Sequence, residues 1–173
     1  MKKLLVVVDF QKDFVDGALG FEGASILEPV IVNKIKEYEA AGYDIVFTLD
    51  THGANYLETM EGKWLPVPHV IKGSEGHQIY GRVRELSKKH TCIEKPAFGS
   101  LCLVDYIQEH GFYDEIELCG LVSTICVFCN AIIVKAASPE SRIFIDSKAT
   151  DSFDKEMQVK CYDLLRHNHI EVV

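Results

Sequence analysis

Cys126 lies where a strand-like run gives way to a helix-like segment, a position that suits a catalytic nucleophile. The apolar run 115–119 leads through Gly120 and a small polar pair to Cys126, which opens the segment 126–137. A helix N-terminus carries a positive partial charge and unpaired N–H groups, which favour a thiolate and can bind an oxyanion. The alternative is a small buried core residue, the commonest fate of a free cysteine.

Two further side chains could activate such a thiol. Both follow short apolar runs, so both are expected at the ends of strands. Asp9 follows the run 4–8, and Lys95 follows the run 91–94. A lysine ammonium favours the thiolate, and a carboxylate can take the thiol proton and later deliver it to a leaving amine. Each also has an ordinary explanation, Asp9 as a turn cap and Lys95 as a surface residue before Pro96. Their joint occurrence at strand ends favours a nucleophile, a base and a cation acting together.

A second group of side chains has the composition of a metal site. Asp50 and His52 follow another strand-like run, and His69 lies further along the same glycine- and proline-rich segment. Carboxylate and imidazole ligands suit zinc, iron or manganese. Two acidic residues between the histidines, Glu58 and Glu61, are candidates for a fourth ligand. A solvated loop with incidental histidines is the alternative.

Three aromatic residues lie near these motifs and could form a flat apolar slot for a planar ring. They are Phe14, Trp64 and Phe98. Core filling is the competing explanation for each of them. Trp64 is the least typical of a core residue, because its surroundings are rich in glycine and proline.

The elements that must position these residues follow from an alternation of strand-like and helix-like runs. This alternation predicts an α/β fold with a doubly wound, mainly parallel six-stranded sheet and helices on both faces. Ligands of such sheets bind beyond the carboxyl ends of the strands, where the candidate residues lie. The loop 51–76 is long enough to suggest a functional segment. The predicted strands are 4–8, 44–49, 91–94, 115–119, 142–145 and 169–173, and the predicted helices are 26–41, 77–88, 101–110, 126–137 and 151–166.

Composition limits the possible partners and location. A chain of 173 residues fits one domain, spanning 1–173, with a substantial core. The net charge of -8 argues against nucleic acid as a partner, since phosphate binding needs a basic face. No run approaches the roughly 20 apolar residues of a membrane span, and an early aspartate argues against a secretory signal. We therefore expect a cytoplasmic homo-oligomer that acts on a small molecule.

The six cysteines leave a redox function open. Chain length and the lack of a signal favour reduced thiols over a disulfide framework. Cys126 and Cys129 have the spacing of a redox pair, so a thiol–disulfide oxidoreductase is an alternative. Such a pair ordinarily comes early in a thioredoxin-like chain, whereas this one follows four predicted strands. Zinc binding by these two cysteines would need a second similar pair, and the sequence has none.

Together these motifs resemble the isochorismatase-like cysteine hydrolases, and most of all their nicotinamidase (pyrazinamidase) branch. The resemblance spans nearly the whole chain, with the motifs in the family's order and at similar spacings. It implies a Rossmann-like sheet and a catalytic triad of Asp9, Lys95 and Cys126. The matching segments are residues 8–14 (VDFQKDF), 50–52 (DTH), 94–100 (EKPAFGS) and 120–127 (GLVSTICV).

The resemblance further implies how the nucleophile works. A cis peptide bond between Leu121 and Val122 precedes it, and the N–H groups of Val122 and Cys126 form an oxyanion hole. The implied activity is hydrolysis of nicotinamide to nicotinate and ammonia. Asp9 takes the Cys126 proton, the thiolate attacks the amide carbon, and Asp9 then protonates the departing ammonia. Water hydrolyses the thioester with Asp9 as base, and Lys95 supports the thiolate electrostatically.

A metal site and a ring slot are implied in the same way. The implied metal ligands are Asp50, His52, His69 and Glu61, with Glu58 as the alternative to Glu61. Zinc is the expected ion, and the pyridine ring would lie against Phe14 with its nitrogen on or near the metal. Trp64 matches loosely, because its sequence distance from His69 differs from the family pattern.

Two other functional hypotheses compete with nicotinamide hydrolysis. The closest is another hydrolase of the same superfamily, acting on a different small amide or on an isochorismate-like ether. The metal-ligating loop favours a pyridine substrate, since metal-free relatives have less use for it. A catalytically silent binding protein is the other, but it would not need Asp9, Lys95 and Cys126 together.

Overall fold

A single parallel sheet organises the chain, and the computed structural model describes all residues 1–173. The strands are β1 (Lys3–Val8), β2 (Asp44–Asp50), β3 (Thr91–Lys95), β4 (Glu115–Leu121), β5 (Arg142–Asp151) and β6 (Glu171–Val172). The helices are α1 (Lys12–Val15), α2 (Leu27–Ala41), α3 (Met60–Trp64), α4 (Gly81–Ser87), α5 (Leu101–His110), α6 (Cys126–Ala137) and α7 (Lys155–His167). None of the helices combines the length and hydropathy that a membrane crossing requires.

The strand order is β3-β2-β1-β4-β5-β6, and every neighbouring pair is parallel. The predicted doubly wound α/β sheet is therefore confirmed, and it is entirely rather than mainly parallel. The order reverses between β1 and β4, so the crevice at the carboxyl ends of these two strands is where such sheets bind ligands.

β1 shows why helices must cover both faces of the sheet. Its residues from Leu4 to Val8 are fully buried, and alternate side chains enter different cores. Leu4 and Val6 pack with residues of α5, α6 and α7, whereas Leu5 and Val7 pack with residues of α2 and α4. A continuous apolar run of this kind is typical of a strand that is covered on both faces.

The largest boundary error of the sequence prediction concerns β5. This strand continues to Asp151 instead of ending at 145, and α7 consequently begins at Lys155. The continuation is hidden in the sequence by the polar residues 146–148, which lie where the register of β5 shifts against β4. The longer strand brings Phe153 to the carboxyl edge of the sheet.

Three smaller differences have local causes. The helix predicted for 77–88 is confined to α4, and the strand predicted for 169–173 is reduced to β6. The predicted loop 51–76 contains a short 3-10 helix, Tyr56–Glu58, followed by α3. The Thr59 side chain accepts a hydrogen bond from the Gly62 N–H at 3.0 Å, so it caps α3.

Gly120 allows β4 to lie against β1 just before the turn that leads to Cys126. It pairs with Val8 and has a φ of 105°, and a Cβ at this position would lie 2.0 Å from the Val8 carbonyl oxygen. We expect Gly120→Ala to lower the free energy of unfolding by about 2–4 kcal/mol, because a clash with backbone adds to left-handed strain. Urea denaturation measures this loss.

The matched control for this prediction is Gly42→Ala at the end of α2. Gly42 also has a positive φ, 69°, but no atom lies within 4 Å of the Cβ it would gain. Strain alone should therefore cost about 1 kcal/mol. Equal losses in the two variants would contradict the packing argument for Gly120.

Candidate active site

Four polar side chains from different elements meet at the carboxyl edge of the sheet. Asp9 directly follows β1, and Asp50 is the last residue of β2. Lys95 is the last residue of β3, and Cys126 is the first residue of α6. All four residues are buried, at most 5 % exposed. Asp9 and Cys126 therefore flank the crevice between β1 and β4, with the other two beside them.

Lys95 contacts the other three side chains of this group. Its Nζ lies 2.6 Å from Asp9 Oδ2, 3.6 Å from Asp50 Oδ1 and 3.8 Å from Cys126 Sγ. It also donates a hydrogen bond to the Ala97 carbonyl oxygen at 2.9 Å. Burial opposes the charge, but Asp9 and its other anionic neighbours hold the pKa of Lys95 above its ordinary value. Lys95 is therefore a buried, charged cation rather than a surface residue.

The protonation of Asp9 and Cys126 is governed by their burial. Burial raises the pKa of Asp9, and Lys95 opposes this rise while Asp50 adds to it. Thr48 Oγ1 donates a hydrogen bond to Asp9 Oδ1 at 2.7 Å, which orients the carboxyl group. Burial also raises the pKa of the Cys126 thiol well above its ordinary value, and the Asp9 charge adds to this rise.

The helix N-terminus and Lys95 favour the thiolate, as the sequence indicates, but burial outweighs them at this position. Lys95 does lower the pKa of Cys126, but burial and Asp9 have the larger effect. The sulfur rests as a thiol, and a base must take its proton during the reaction. Asp9 is the carboxyl group beside it that can do so.

The turn before Cys126 presents unpaired backbone N–H groups. The peptide bond between Leu121 and Val122 is cis. The Val122 carbonyl oxygen accepts hydrogen bonds from the N–H groups of Ile125 and Val127, at 3.1 and 3.2 Å. The N–H groups of Val122 and Cys126 donate no hydrogen bond within the chain. Both are therefore available to an oxyanion.

A compact group of potential metal ligands lies beside the triad. Its ligand atoms all lie within 4.8 Å of one another, and its members are Asp50, His52, Glu61 and His69. Nε2 of His52 is 3.4 Å from Asp50 Oδ2 and 3.5 Å from Glu61 Oε1. Glu58, the alternative to Glu61, is an exposed residue of the 3-10 helix and stands outside the group.

The chemistry of this group fits a divalent metal ion. Asp50 Oδ1, His52 Nε2 and Glu61 Oε1 are buried and have no hydrogen-bond partner. His69 Nδ1 lies 2.8 Å from the Val67 carbonyl oxygen, so that its Nε2 faces the group, 3.6 Å from Glu61 Oε1. Imidazole and carboxylate donors with free lone pairs are the set that zinc, iron and manganese take in proteins.

A cavity of about 430 Å³ opens onto Cys126 and the ligand group. Phe14 and Phe98 line it, and the Phe14 ring packs against the His69 ring with centroids 5.6 Å apart. The remaining lining residues are mostly apolar. They are Ala18, Leu19, Gly20, Phe21, Asp50, Glu61, Leu65, His69, Leu121, Val122, Ile125 and Phe153.

Trp64 does not belong to this cavity, which corrects its expected place in the ring slot. Its side chain is 85 % exposed. Glu61 and Leu65 lie four residues apart and both line the cavity, so they share the inner side of this turn. Trp64, adjacent to Leu65, points to another side of the helix and into solvent.

Two aromatic residues of the cavity wall have no clear signal in the sequence. The rings of Phe21 and Phe153 pack against each other with centroids 6.2 Å apart. Phe153 follows the carboxyl end of β5. The argument that placed Asp9 and Lys95 at the edge of the sheet would also place Phe153 there, but only with the observed end of β5. Phe21 lies in an irregular segment after α1, where no periodic pattern exists.

The arrangement does not favour a redox pair. All six cysteines are free thiols, and Cys129 is partly buried on α6 outside the cavity lining. Burial raises the pKa of Cys129 as well as that of Cys126. Thiol–disulfide exchange requires an accessible thiolate. Neither Cys126 nor Cys129 meets this requirement, because both thiols are wholly or partly buried and have raised pKa values.

Comparison with known proteins assigns the chain to a family. The family model for the isochorismatase domain matches residues 3–173. A curated relative from Bacillus subtilis (strain 168), an uncharacterized isochorismatase family protein called PncA, is 33% identical in an alignment of 168 residues that covers 90% of each chain. The chain therefore belongs to the isochorismatase family, and it is a hydrolase.

Solved structures share this fold along their whole length. The nicotinamidase/pyrazinamidase PncA from Bacillus subtilis has a TM-score of 0.89 at 28% identity, with 100% of both chains covered. The pyrazinamidase of Pyrococcus horikoshii in complex with zinc has a TM-score of 0.87 at 22% identity, covering 100% of this chain and 99% of that one. The predicted family and fold class are confirmed.

Proposed function

We propose that the chain is a cysteine amidohydrolase that converts nicotinamide to nicotinate and ammonia in NAD salvage. One observation carries the proposal: the buried Asp9, Lys95 and Cys126 adjoin a metal-ligand group. Cys126 and three of the potential ligands line one mostly apolar cavity. The similarity to a nicotinamidase/pyrazinamidase at 28% identity supports the same activity. The six free thiols suit a reducing compartment such as the cytoplasm.

Asp9 begins the reaction by taking the proton of the Cys126 thiol. Its raised pKa makes it a stronger base than an ordinary aspartate. The resulting thiolate attacks the amide carbon, while the Lys95 ammonium, 3.8 Å from the sulfur, stabilises the negative charge. The oxyanion accepts hydrogen bonds from the N–H groups of Val122 and Cys126. One such donor is typically worth roughly 10²–10³ in rate.

The second half of the reaction returns the site to its starting state. Asp9 gives its proton to the amide nitrogen, the C–N bond breaks, and ammonia leaves a thioester on Cys126. Asp9 then takes a proton from water, and the hydroxide attacks the thioester carbon. The C–S bond breaks and the proton on Asp9 returns to the sulfur. The product leaves as nicotinate after its carboxyl proton passes to solvent or to ammonia.

The metal-ligand group has its own part in the proposal. Asp50, His52, Glu61 and His69 would hold a divalent ion, with zinc the first candidate and iron or manganese the alternatives. When bound, the ion supplies a Lewis acid for the ring nitrogen of the substrate. Phe14 and Phe98, which line the cavity, offer apolar surface for the ring.

Loss of one ligand is expected to weaken both metal and substrate binding. His69→Ala should raise the zinc Kd by more than about 100-fold, beyond the 10–100-fold typical of residues that only support a ligand. KM for nicotinamide should rise with it, and chelation of the parent chain should have the same effect. Zinc competition titration and steady-state kinetics measure the two quantities.

The control for His69→Ala is His110→Ala. His110 lies on α5, where its Nδ1 is 2.8 Å from the Tyr106 carbonyl oxygen, and it is absent from the ligand group. Its replacement should leave both constants unchanged. Parent-like zinc affinity in His69→Ala would contradict the assignment of the ligand group.

The charge of the cavity lining supports an amide substrate over an isochorismate-like ether. No lysine or arginine lines the cavity, and its ionisable carboxyl groups are those of Asp50 and Glu61. An isochorismate-like substrate carries carboxylates, and the lining supplies no cationic side chain to pair with them. A neutral pyridine carboxamide needs no such partner, so the lining favours the amide.

A substrate screen tests the proposal. Ammonia release is measured for nicotinamide, pyrazinamide and aliphatic amides, and pyruvate release for isochorismate, on protein of known metal content. We expect hydrolysis of the two ring carboxamides and little of the others. Hydrolysis of an aliphatic amide or of isochorismate, without any of the ring carboxamides, would replace the proposal with the related hydrolase of the same superfamily.

A further inference from the structure

The Gln11 side chain fills a gap that β1 leaves beside the end of β2. The Asp9 N–H still bonds to the Thr48 carbonyl oxygen at 3.1 Å, as in a continuing ladder. Asp9 then has a φ of 44°, so the chain turns away before it reaches Asp50. The Gln11 amide takes the place of the missing strand. It accepts a hydrogen bond from the Asp50 N–H at 2.8 Å and donates one to the Asp50 carbonyl at 2.9 Å.

Gln11 is well suited to hold this position. Its side chain is fully buried, and its Nε2 also donates to the His77 carbonyl oxygen at 2.9 Å. The amide is therefore fixed by three hydrogen bonds, two of them to the backbone of Asp50. Asp50 in turn carries one of the carboxylates of the metal-ligand group.

Asp13 makes a similar contact on the other side of that group. Its Oδ2 accepts a hydrogen bond from the Val70 N–H at 2.7 Å. Val70 is fully buried and has a φ of 40°, which a β-branched residue rarely adopts without support. Because Val70 directly follows His69, the Asp13 carboxylate fixes the backbone from which that imidazole projects.

We propose that Gln11 is a positioning residue that holds Asp50 in place to bind a divalent cation. Asp13 does the same for His69 through the backbone of Val70. Neither Gln11 nor Asp13 lines the cavity, so neither contacts the substrate directly. Asp13 Oδ1 also accepts a hydrogen bond from the Ala18 N–H at 3.2 Å, beside its contact with Val70. The inference rests on the metal site of the proposed function, and it assigns that site a support of its own, separate from the triad.

Zinc titration of the metal-stripped chain against a chromogenic chelator tests this inference. Gln11→Met keeps the length of the side chain but removes both hydrogen bonds to Asp50. We expect its zinc Kd to rise roughly 10–100-fold, the usual effect of losing a group that orients a ligand. The rate of Cys126 alkylation in the metal-free protein should stay within about twofold of the parent rate, because the Gln11 side chain makes no hydrogen bond to Asp9, Lys95 or Cys126.

Tyr113→Phe is the matched control, because it removes a partly buried hydrogen bond at the opposite end of β2. The Tyr113 hydroxyl donates to Asp44 Oδ2 at 2.8 Å, and Asp44 is the first residue of that strand. Its zinc affinity should stay within about twofold of the parent value. An equal loss in both variants would overturn the inference, since general loosening would then explain the effect.

Unchanged zinc affinity in folded Gln11→Met would also overturn it. If Gln11→Met fails to fold, Asp13→Ala tests the inference instead. Asp13 is only partly buried, so we expect this variant to fold. A roughly tenfold rise in its zinc Kd supports the inference, and a parent-like Kd overturns it. A parent chain that binds zinc tightly but hydrolyses no ring carboxamide refutes the proposed function alone.

Discussion

Cys126→Ala is expected to reduce kcat for ammonia release from nicotinamide by roughly 10⁴-fold or more, because it removes the nucleophile. The oxyanion donors and the cavity remain, so substrate binding should persist. Truncating one sulfur atom at a position that is 5 % exposed leaves the fold intact. Ammonia release by zinc-loaded protein, with circular dichroism as the check of folding, measures the effect. Activity that survives in this variant would exclude Cys126 as the nucleophile.

Cys129→Ala is the matched control in the same helix. Cys129 lies three residues further along α6 and outside the cavity lining, so its loss should leave kcat within about threefold of the parent value. The two variants also separate the hydrolase from the thiol–disulfide oxidoreductase. A redox pair needs both cysteines, and equal losses in both variants would therefore favour the oxidoreductase.

Lys95→Met is expected to cost the largest amount of stability of any single substitution at the site. The variant keeps the buried aliphatic length but leaves Asp9 and Asp50 without their shared cation, 2.6 and 3.6 Å away in the parent. Breaking a buried ion pair in this way typically costs about 3–5 kcal/mol. Urea denaturation of the metal-stripped protein measures the loss. Activity should also fall, because no cation then faces Cys126.

The stability loss in Lys95→Met should depend on pH in a definite direction. Burial already raises the pKa of Asp9 with Lys95 present, and removal of the cation raises it further. A carboxyl group with a raised folded-state pKa stabilises the fold when protonated and loses this contribution as the pH rises through that pKa. The deficit should therefore be larger near about pH 8 than near about pH 5.

Lys72→Met provides the comparison for Lys95→Met at a surface ion pair. Lys72 Nζ lies 2.5 Å from Glu94 Oε2, with side chains 66% and 43% exposed. Such a pair typically contributes less than about 1 kcal/mol. A Lys95→Met deficit no larger than this, or one that does not change with pH, would contradict the buried charge network.

The strand-end argument predicted most of the candidate site from the sequence. Continuous apolar runs identify β1 to β4, and parallel strands bring the residues after them to one edge. Asp9, Asp50, Lys95 and Cys126 meet there, as this argument requires. The residue types at the ends of the strands and of one helix were sufficient to predict this group, because each residue is placed by its own strand or helix.

Features that depend on packing between elements could not be predicted in the same way. The continuation of β5 is masked by polar residues at a register shift, so Phe153 was not identified. Trp64 looked suitable by composition, but only the orientation of α3 shows that it faces solvent. The supporting position of Gln11 arises where Asp9 turns away from β2, and the sequence does not show this departure.

The protonation state of Cys126 also depends on packing between elements. Helix position and a nearby lysine, both visible in the sequence, favour a thiolate. Burial of Cys126 beside Asp9 has the larger effect and keeps the thiol protonated. Only the folded arrangement reveals how far the site is removed from water.

Rapid quenching of the zinc-loaded chain during turnover of nicotinamide, followed by peptide mass spectrometry, tests the central claim most directly. We predict a nicotinoyl thioester on Cys126 that forms with ammonia release and disappears as nicotinate appears. Ammonia release without an acyl group on Cys126 under any quench time, or with the acyl group on another residue, would contradict the account.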